Sequence, residues 1–299
     1  MAAMPRLAVL GTGRMGGAFA HRLKAGGFQV LVWDRTKSKA EALGVGHVAD
    51  SPADATQDAD VVVSMVTGPQ AVREVYFGPA GVFSAAAQKT ILEMSTAGPG
   101  IAQELAIAAK LNGARLIEAP VMGSVPAVNG GTLVILVAAA RVDDLEAARP
   151  VLQQLGEVHY VGEIGSAAAL KLVANGFLAI VSAAAAELMA AGTQHGLDPE
   201  QVFWALSRLA PVLKTREAGF VHNLHEPTMF AIRDMLKDLD LGLALYQPVR
   251  GSPSAVPLTS LTRELFDSVA SQAPDQDLSA IVNAYSTELP GDRQKEVSS

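Results

Sequence analysis

Lys171 and Asn175 stand four residues apart in GSAAALKLVANGFLAIVSAAAAELMAAG (165–192), an Ala-rich stretch whose only other charged residue is Glu187. On a helix, that spacing sets the two side chains next to each other on one face. Burying an ammonium group costs several kcal/mol unless it finds partners or loses its proton. An amine among alanines therefore implies either an exposed place in the first turns of the helix or a cleft in which the charge is used. Ser95 and Thr96 in EMSTAG (93–98) form a second pair, two hydroxyls at the carboxyl end of an expected strand. That edge is where ligands bind in open α/β sheets. The segment EAPVMGSVPAVNGGTL (118–133) is expected to be a Gly/Pro-rich loop between strands, with backbone donors suited to a carboxylate.

A third constellation lies at the start of the chain. LAVLGTGRMGGAFAHRL supplies Gly11-x-Gly13-x-x-Gly16 directly after an expected strand and at the start of an expected helix, with Thr12, Arg14 and Met15 between the glycines. Such glycines serve a tight turn, backbone approach to a pyrophosphate and close helix–strand packing, and the helix N-terminus adds N–H donors. Asp34 ends the second strand, where an acid takes the ribose hydroxyls of NAD. Arg35 and Thr36 follow at once, with Lys37 and Lys39 behind. A guanidinium and a hydroxyl there suit a 2′-phosphate, so NADP(H) is preferred and NAD(H) is possible. A merely solvated charged loop is the alternative for DRTKSK. Met65, which ends the run VVVSM (61–65), and Val66 directly after it complete the expected cofactor contacts.

The elements that must position these residues follow from patterning. Apolar runs at 7–11, 29–33, 61–65, 90–94 and 115–119 alternate in the first half with helix-like stretches, and two more, at 132–138 and 158–162, follow; the alternation predicts βαβ units and a parallel sheet. The runs are nearly continuous, as when helices cover both faces. After Gly165 only helical patterns remain. DPEQVFWALSRL opens with Asp198 as N-cap, Pro199 at the first position and Gln201 closing a capping box; TMFAIRDMLKDLDLGLALY and SLTRELFDSVAS are two more candidates. The tail LPGDRQKEVSS reads as frayed. The expected organisation is a Rossmann domain at 1–164 and a helical domain at 165–299 that begins with a long helix over 166–191.

With 299 residues, 49% of them hydrophobic, the chain has enough apolar material for real cores. A net charge of −7 and only 18% charged residues disfavour nucleic acid as a bulk partner. The absence of cysteine removes disulfides and thiol nucleophiles. The stretch 165–192 is long enough to span a bilayer, but Lys171, Asn175, Gly176, Ser182 and Glu187 within it favour a helix inside protein. A soluble, cytoplasmic protein without membrane contact is expected. His222-x-x-His225-Glu226 has passable ligand spacing but no HExxH pattern, so no metal is expected; GxSxG and P-loop motifs are absent.

Taken in order, GTGRMG, WDRT, MST, APVMGSVPAVNGGTL, GSAAALKLVAN and KDLDL, spread from Leu7 to about Tyr285, resemble the β-hydroxyacid dehydrogenase family. The resemblance implies a Rossmann domain, a long central helix, a helical domain completing the cleft, and a homodimer or homotetramer. It also implies that Lys171 is the catalytic lysine and Asn175 the substrate-orienting asparagine. Ser95, Thr96, Met122, Gly123, Ser124 and Lys237 would contact a small carboxylate substrate, with Ser95 and Thr96 also beside the nicotinamide and Thr96 a cofactor contact. Lys171 would then give a proton or a charge-assisted hydrogen bond to the oxygen of an aldehyde receiving hydride, with a pKa lowered by partial burial. One departure stands out: many members have APVSGG, whereas this chain has Met122-Gly123-Ser124, more similar to the glyoxylate/succinic semialdehyde reductase branch. Two rivals share the architecture. An imine reductase usually replaces the lysine with Asp or Tyr, and a non-catalytic dinucleotide-binding module needs no proton donor.

Overall fold

The structure is a computed structural model that describes residues 4–245 and 256–285. The expected frayed tail lies outside the described residues, as does Tyr246, the last residue of the second helical candidate. The chain divides into two compact units with the boundary between Val173 and Ala174.

The first unit alternates strand and helix: β1 (Leu7–Leu10), α1 (Arg14–Ala25), β2 (Val30–Trp33), α2 (Lys37–Leu43), β3 (His47–Val48), α3 (Pro52–Asp58), β4 (Val61–Ser64), α4 (Gly68–Phe77), β5 (Thr90–Glu93), α5 (Pro99–Leu111) and β6 (Arg115–Glu118). These strands lie side by side in the order β3-β2-β1-β4-β5-β6, all parallel. The order reverses at β1, whose neighbours are β2 and β4, and such a switch point opens a crevice at the carboxyl ends of the strands. Successive strand residues face opposite sides. Leu7, Val9, Val61, Val63, Leu92 and Ile117 therefore enter one core, while Ala8, Leu10, Val62, Ile91 and Leu116 enter the other. Both faces need apolar side chains because both are covered by helices, which is why the runs read as continuous.

Beyond β6 the parallel order gives way to antiparallel pairing. The segment 118–133, expected as a loop, contains β7 (Val121–Met122) and the short helix α6 (Val125–Gly130), and β8 (Leu133–Ala139) follows. β8 runs antiparallel to both β6 and β7. The ten residues between β7 and β8 are too few for a parallel crossover, which needs a dozen or more, so the chain folds straight back. After α7 (Asp144–Leu155), β9 (Gly156–Gly162) joins β8 in parallel.

The long helix α8 (Ser166–Gln194) starts in the first unit and continues into the second. Its length and apolar composition would suffice to cross a membrane, and 44% of its most apolar window is buried inside the protein. Its buried residues are mainly small: Ala167, Ala168, Ala179, Ala183, Ala185 and Ala186, with Leu172 and Met189. The expectation of a helix inside protein holds for only one side, because Leu170, Val173, Phe177 and Leu188 are 38–66% exposed.

The second unit adds α9 (Pro199–Leu209), α10 (Glu217–His222), α11 (Ile232–Leu245) and α12 (Pro257–Ala270). Asp198 caps α9 by accepting from Glu200 N at 3.0 Å, so the bond seen is to the second helical residue. α11 begins four residues later than its sequence pattern and α12 three residues earlier. Phe203, Phe220, Met235, Leu239 and Phe266 form the core of this unit.

Candidate active site

The glycine turn joins β1 to α1 and has three distinct demands on its glycines. Gly11 has φ +90°, and a Cβ there would meet Met65 O at 2.3 Å and Val66 Cγ1 at 2.9 Å. A Cβ at Gly16 would fall 1.9 Å from Gly11 O. Both positions are thus set by the packing of the turn on itself and on the end of β4. At Gly13 a Cβ would meet nothing within 4 Å. Gly13 is also the N-cap of α1, and no side chain caps that helix. The turn is therefore open where a pyrophosphate would approach, and the amide end of α1 is left to a ligand, so the residues present fit a dinucleotide.

Asp34, at the end of β2, is fastened to that turn. Its Oδ2 accepts from Thr12 N at 2.8 Å and Thr12 Oγ1 at 3.1 Å, and its Oδ1 accepts from Thr36 N at 2.8 Å. Arg35 points away into solvent with its side chain 83% exposed, 3.5 Å from Glu74. Lys37 pairs with Asp50 at 2.6 Å.

The carboxyl ends of the neighbouring strands are stitched together. Met65 N donates to Leu10 O at 2.8 Å, and Val66 N donates to Ser95 Oγ at 2.9 Å. Ser95 N donates to Glu93 Oε1 at 2.8 Å. Ser95 is buried and Thr96 half-buried. Beneath them lie three fully buried polar side chains, Ser64, Tyr76 and Glu93. They interact electrostatically, yet Ser64 Oγ, Tyr76 OH and Glu93 Oε2 make no well-formed hydrogen bond. Burial raises the Glu93 carboxyl above its ordinary range, and burial together with the Glu93 charge raises the Tyr76 phenol.

Next along the sheet edge, Glu118 ends β6. Its Oε2 accepts from Gly165 N at 2.7 Å and its Oε1 accepts from Ala168 N, in the first turn of α8. Burial pushes this carboxyl up, and the two N–H bonds oppose the shift. Four residues on, Met122 packs against the cluster of Leu136, Ala138 and Ala167, the last of these from α8. Gly123 has φ +123°, where a Cβ would meet Leu133 Cδ2 at 2.8 Å. Ser124 is the N-cap of α6, but its side chain makes no cap bond. Lys171 is partly buried on α8, three residues beyond Ala168.

In the second unit, Asn175 is buried and its Nδ2 donates to Asp238 Oδ2 at 2.5 Å. Lys237 Nζ reaches Asp238 Oδ1 at 2.5 Å, with the lysine side chain 26% and the aspartate 2% exposed. In the weak metal pattern, both ring nitrogens of His225 are bonded, to Ser279 Oγ at 3.0 Å and Asn223 Oδ1 at 2.7 Å.

Sequence comparison adds the decisive observation. Residues 6–165 match the NAD binding domain of 6-phosphogluconate dehydrogenase. Residues 165–285 match the NAD-binding domain of NADP-dependent 3-hydroxyisobutyrate dehydrogenase. A 3-hydroxyisobutyrate dehydrogenase of Pseudomonas aeruginosa is 34% identical over 94% of this chain and 99% of its own. The chloroplastic glyoxylate/succinic semialdehyde reductase 2 of Arabidopsis thaliana is 32% identical over 92% of this chain and 78% of its own. The chain belongs to the β-hydroxyacid dehydrogenase family. A solved 3-hydroxyisobutyrate dehydrogenase of Mycobacterium tuberculosis with L-serine superposes with a TM-score of 0.77 at 28% identity, covering 94% of this chain and 99% of that one.

This β-hydroxyacid dehydrogenase is an NAD(P)-dependent enzyme acting on CH–OH donors. Three acids that sequence reasoning passed over hold groups next to the candidate residues. Glu93 and Glu118 each close a buried strand run, TILE and RLIE, and an acid in that position is itself an unusual signal. Asp238 lay in view inside KDLDL, next to Lys237.

Proposed function

We propose that this enzyme transfers hydride between NADP(H) and the carbonyl or hydroxyl carbon of a small carboxylate-bearing substrate, a semialdehyde or glyoxylate and its hydroxy acid. The nicotinamide, when bound, supplies or accepts the hydride. The chain does the rest. In the reducing direction Lys171 donates a proton, or a charge-assisted hydrogen bond, to the carbonyl oxygen as negative charge grows there. Asn175 orients the same oxygen. Its amide is already oriented by the bond from Nδ2 to Asp238 Oδ2, and only an amide N–H, not the amide carbonyl, can donate to the substrate's carbonyl oxygen. Ser95, Thr96, Met122, Gly123, Ser124 and Lys237 bind and align the substrate. The turn from Gly11 to Gly16, with Asp34, Arg35, Thr36, Met65 and Val66, holds the cofactor.

The observation that most supports this reading is where α8 begins. It is tied at Gly165 and Ala168 to the carboxyl end of β6, so Lys171 follows Gly165 by about 9 Å of helix rise. The dinucleotide turn opens at the same edge of the sheet. The NADP(H) preference rests on Asp34, whose oxygens are committed to Thr12 and Thr36, and on the exposed guanidinium of Arg35 beside it. The exposed apolar stripe of Leu170, Val173, Phe177 and Leu188 favours a soluble homo-oligomer in which a second copy covers it.

The test is an NADPH-oxidation assay on glyoxylate, succinic semialdehyde and a cyclic imine, with 3-hydroxy acids run in reverse with NADP⁺. Wild type is expected to use at least one carboxylate substrate. Lys171→Ala is expected to lose about 10²–10⁴ in rate while still binding NADPH. Turnover of the imine alone, or near-full turnover by Lys171→Ala, contradicts the proposal.

A further inference from the structure

The start of α8 lacks a cap of its own. Gly165, at φ +100°, has no side chain to offer, and the first bond within the helix is Ala169 N to Gly165 O at 3.0 Å. The amides ahead of that bond need acceptors, because buried N–H groups left unpaired are costly. Ser166 N finds Glu163 O at 3.0 Å. Gly165 N and Ala168 N find the two oxygens of one carboxylate, Glu118, which is 2% exposed and 47 and 50 residues away in the chain. Two acceptor oxygens on two amides of one turn fix both the position of that turn and its rotation about the helix axis. Lys171 lies three residues beyond Ala168, so the direction of its side chain follows the rotation that Glu118 sets.

Glu118 is also the last residue of β6, and the chain runs from it through Ala119 and Pro120 into Val121, Met122, Gly123 and Ser124. Met122 and Ala167 then share one small apolar cluster with Leu136 and Ala138. One carboxylate thus ties the segment 121–124 and the helix bearing Lys171 to a common point. We infer that Glu118 is a positioning residue that sets the register between Lys171 and the Met122–Ser124 segment. The inference rests on the reading of Lys171 as proton donor. In this role Glu118 acts through the helix turn it holds and not on the reacting atoms.

Glutamine is the informative replacement. It fits the space, but its amide nitrogen accepts no hydrogen bond, so one of the two helix amides loses its partner whichever way the side chain is flipped. Glu118→Asp keeps both acceptor oxygens on a stem one methylene shorter. The experiment compares wild type, Glu118→Gln, Glu118→Asp and Lys171→Ala by kcat, by NADPH Kd, and by amide hydrogen exchange of the peptide spanning residues 163–173. Misplacing a reacting group by about 1 Å costs on the order of 10² in rate. Glu118→Gln is therefore expected to lose about 10–10²-fold in kcat, with NADPH Kd within about twofold of wild type and faster exchange confined to 163–173. Glu118→Asp is expected to recover part of both losses.

Wild-type kcat or unchanged exchange in Glu118→Gln overturns the inference. So does a loss spread evenly over kcat and NADPH affinity with no recovery in Glu118→Asp, since that pattern marks general destabilisation. If Glu118→Gln does not fold, Glu118→Asp decides: intermediate kcat with faster exchange at 163–173 supports the inference, and wild-type values overturn it. Lys171→Ala separates the two readings. A dead Lys171→Ala beside a full-speed Glu118→Gln defeats the positioning role alone, whereas an active Lys171→Ala defeats the proton-donor reading on which it rests.

Discussion

Replacing Gly13 and Gly16 by alanine, one at a time, separates a glycine kept for a ligand from a glycine kept for the fold. At Gly16 the new methyl carbon would lie 1.9 Å from the carbonyl oxygen of Gly11, far inside contact distance, and that oxygen belongs to backbone. The turn must shift by more than 1 Å to admit it, on the order of what overpacked sites require at about 1–3 kcal/mol. For a unit of this size that corresponds to a fall in Tm of roughly 2–12 °C. At Gly13 the methyl meets nothing, and φ is −63°, which alanine adopts freely. The poorer N-cap character of alanine and the lower entropy of its unfolded chain roughly offset each other, so stability should move by no more than about 0.5 kcal/mol. The same methyl stands where the backbone would approach the pyrophosphate, and NADPH affinity should fall at least about tenfold, equivalent to ~1.4 kcal/mol. The assay is thermal denaturation without nucleotide, paired with fluorescence titration by NADPH. Gly13→Ala with unchanged Tm and wild-type NADPH affinity would refute the assignment of this turn as the pyrophosphate cradle.

Two further outcomes concern carboxyl groups that accept from backbone amides. Asp34→Asn replaces a carboxylate that accepts from two backbone amides with a group that accepts on one side only; where the buried amide of Thr12 is the one left unpaired, the cost is about 1–3 kcal/mol, whereas the exposed amide of Thr36 turns to water. NADPH and NADH affinities should weaken by similar factors; a loss confined to NADH would mean that the carboxylate serves the ribose rather than the turn. Glu93, raised by burial, keeps its proton longer in the folded than in the unfolded state, so its contribution to stability is full below about pH 4.5 and is lost as pH rises through the folded value. Glu93→Gln removes that term, and urea midpoints measured from about pH 4.5 to neutrality should decline less steeply than in wild type. An unchanged slope counts against the buried carboxyl as the source.

The alternating half of the fold was legible because local rules agree with one another there. Continuous apolar runs mark strands covered on both faces, and the glycine spacing marks a turn whose tightness is set within a few residues. Asp198-Pro199 announced the start of a helix for the same reason, since a cap is satisfied by its own neighbours. The segment 118–133 misled because Pro and Gly signal a break without specifying the element on its far side. Whether the chain crosses over or folds back depended on a partner strand, β8, that lies beyond the break.

The sequence by itself determined the family, the dinucleotide turn, and the type and spacing of Lys171 and Asn175. Periodicity, glycine placement and i,i+4 spacing are properties of neighbouring residues, so they survive without coordinates. Tertiary structure decided the distant partners of the acids. Asp34 Oδ2 turned to Thr12, Asp238 to Asn175, and Glu118 to a helix turn 47 residues away. A buried carboxylate takes whatever donors folding brings within about 3 Å, and no local pattern encodes which donors those are.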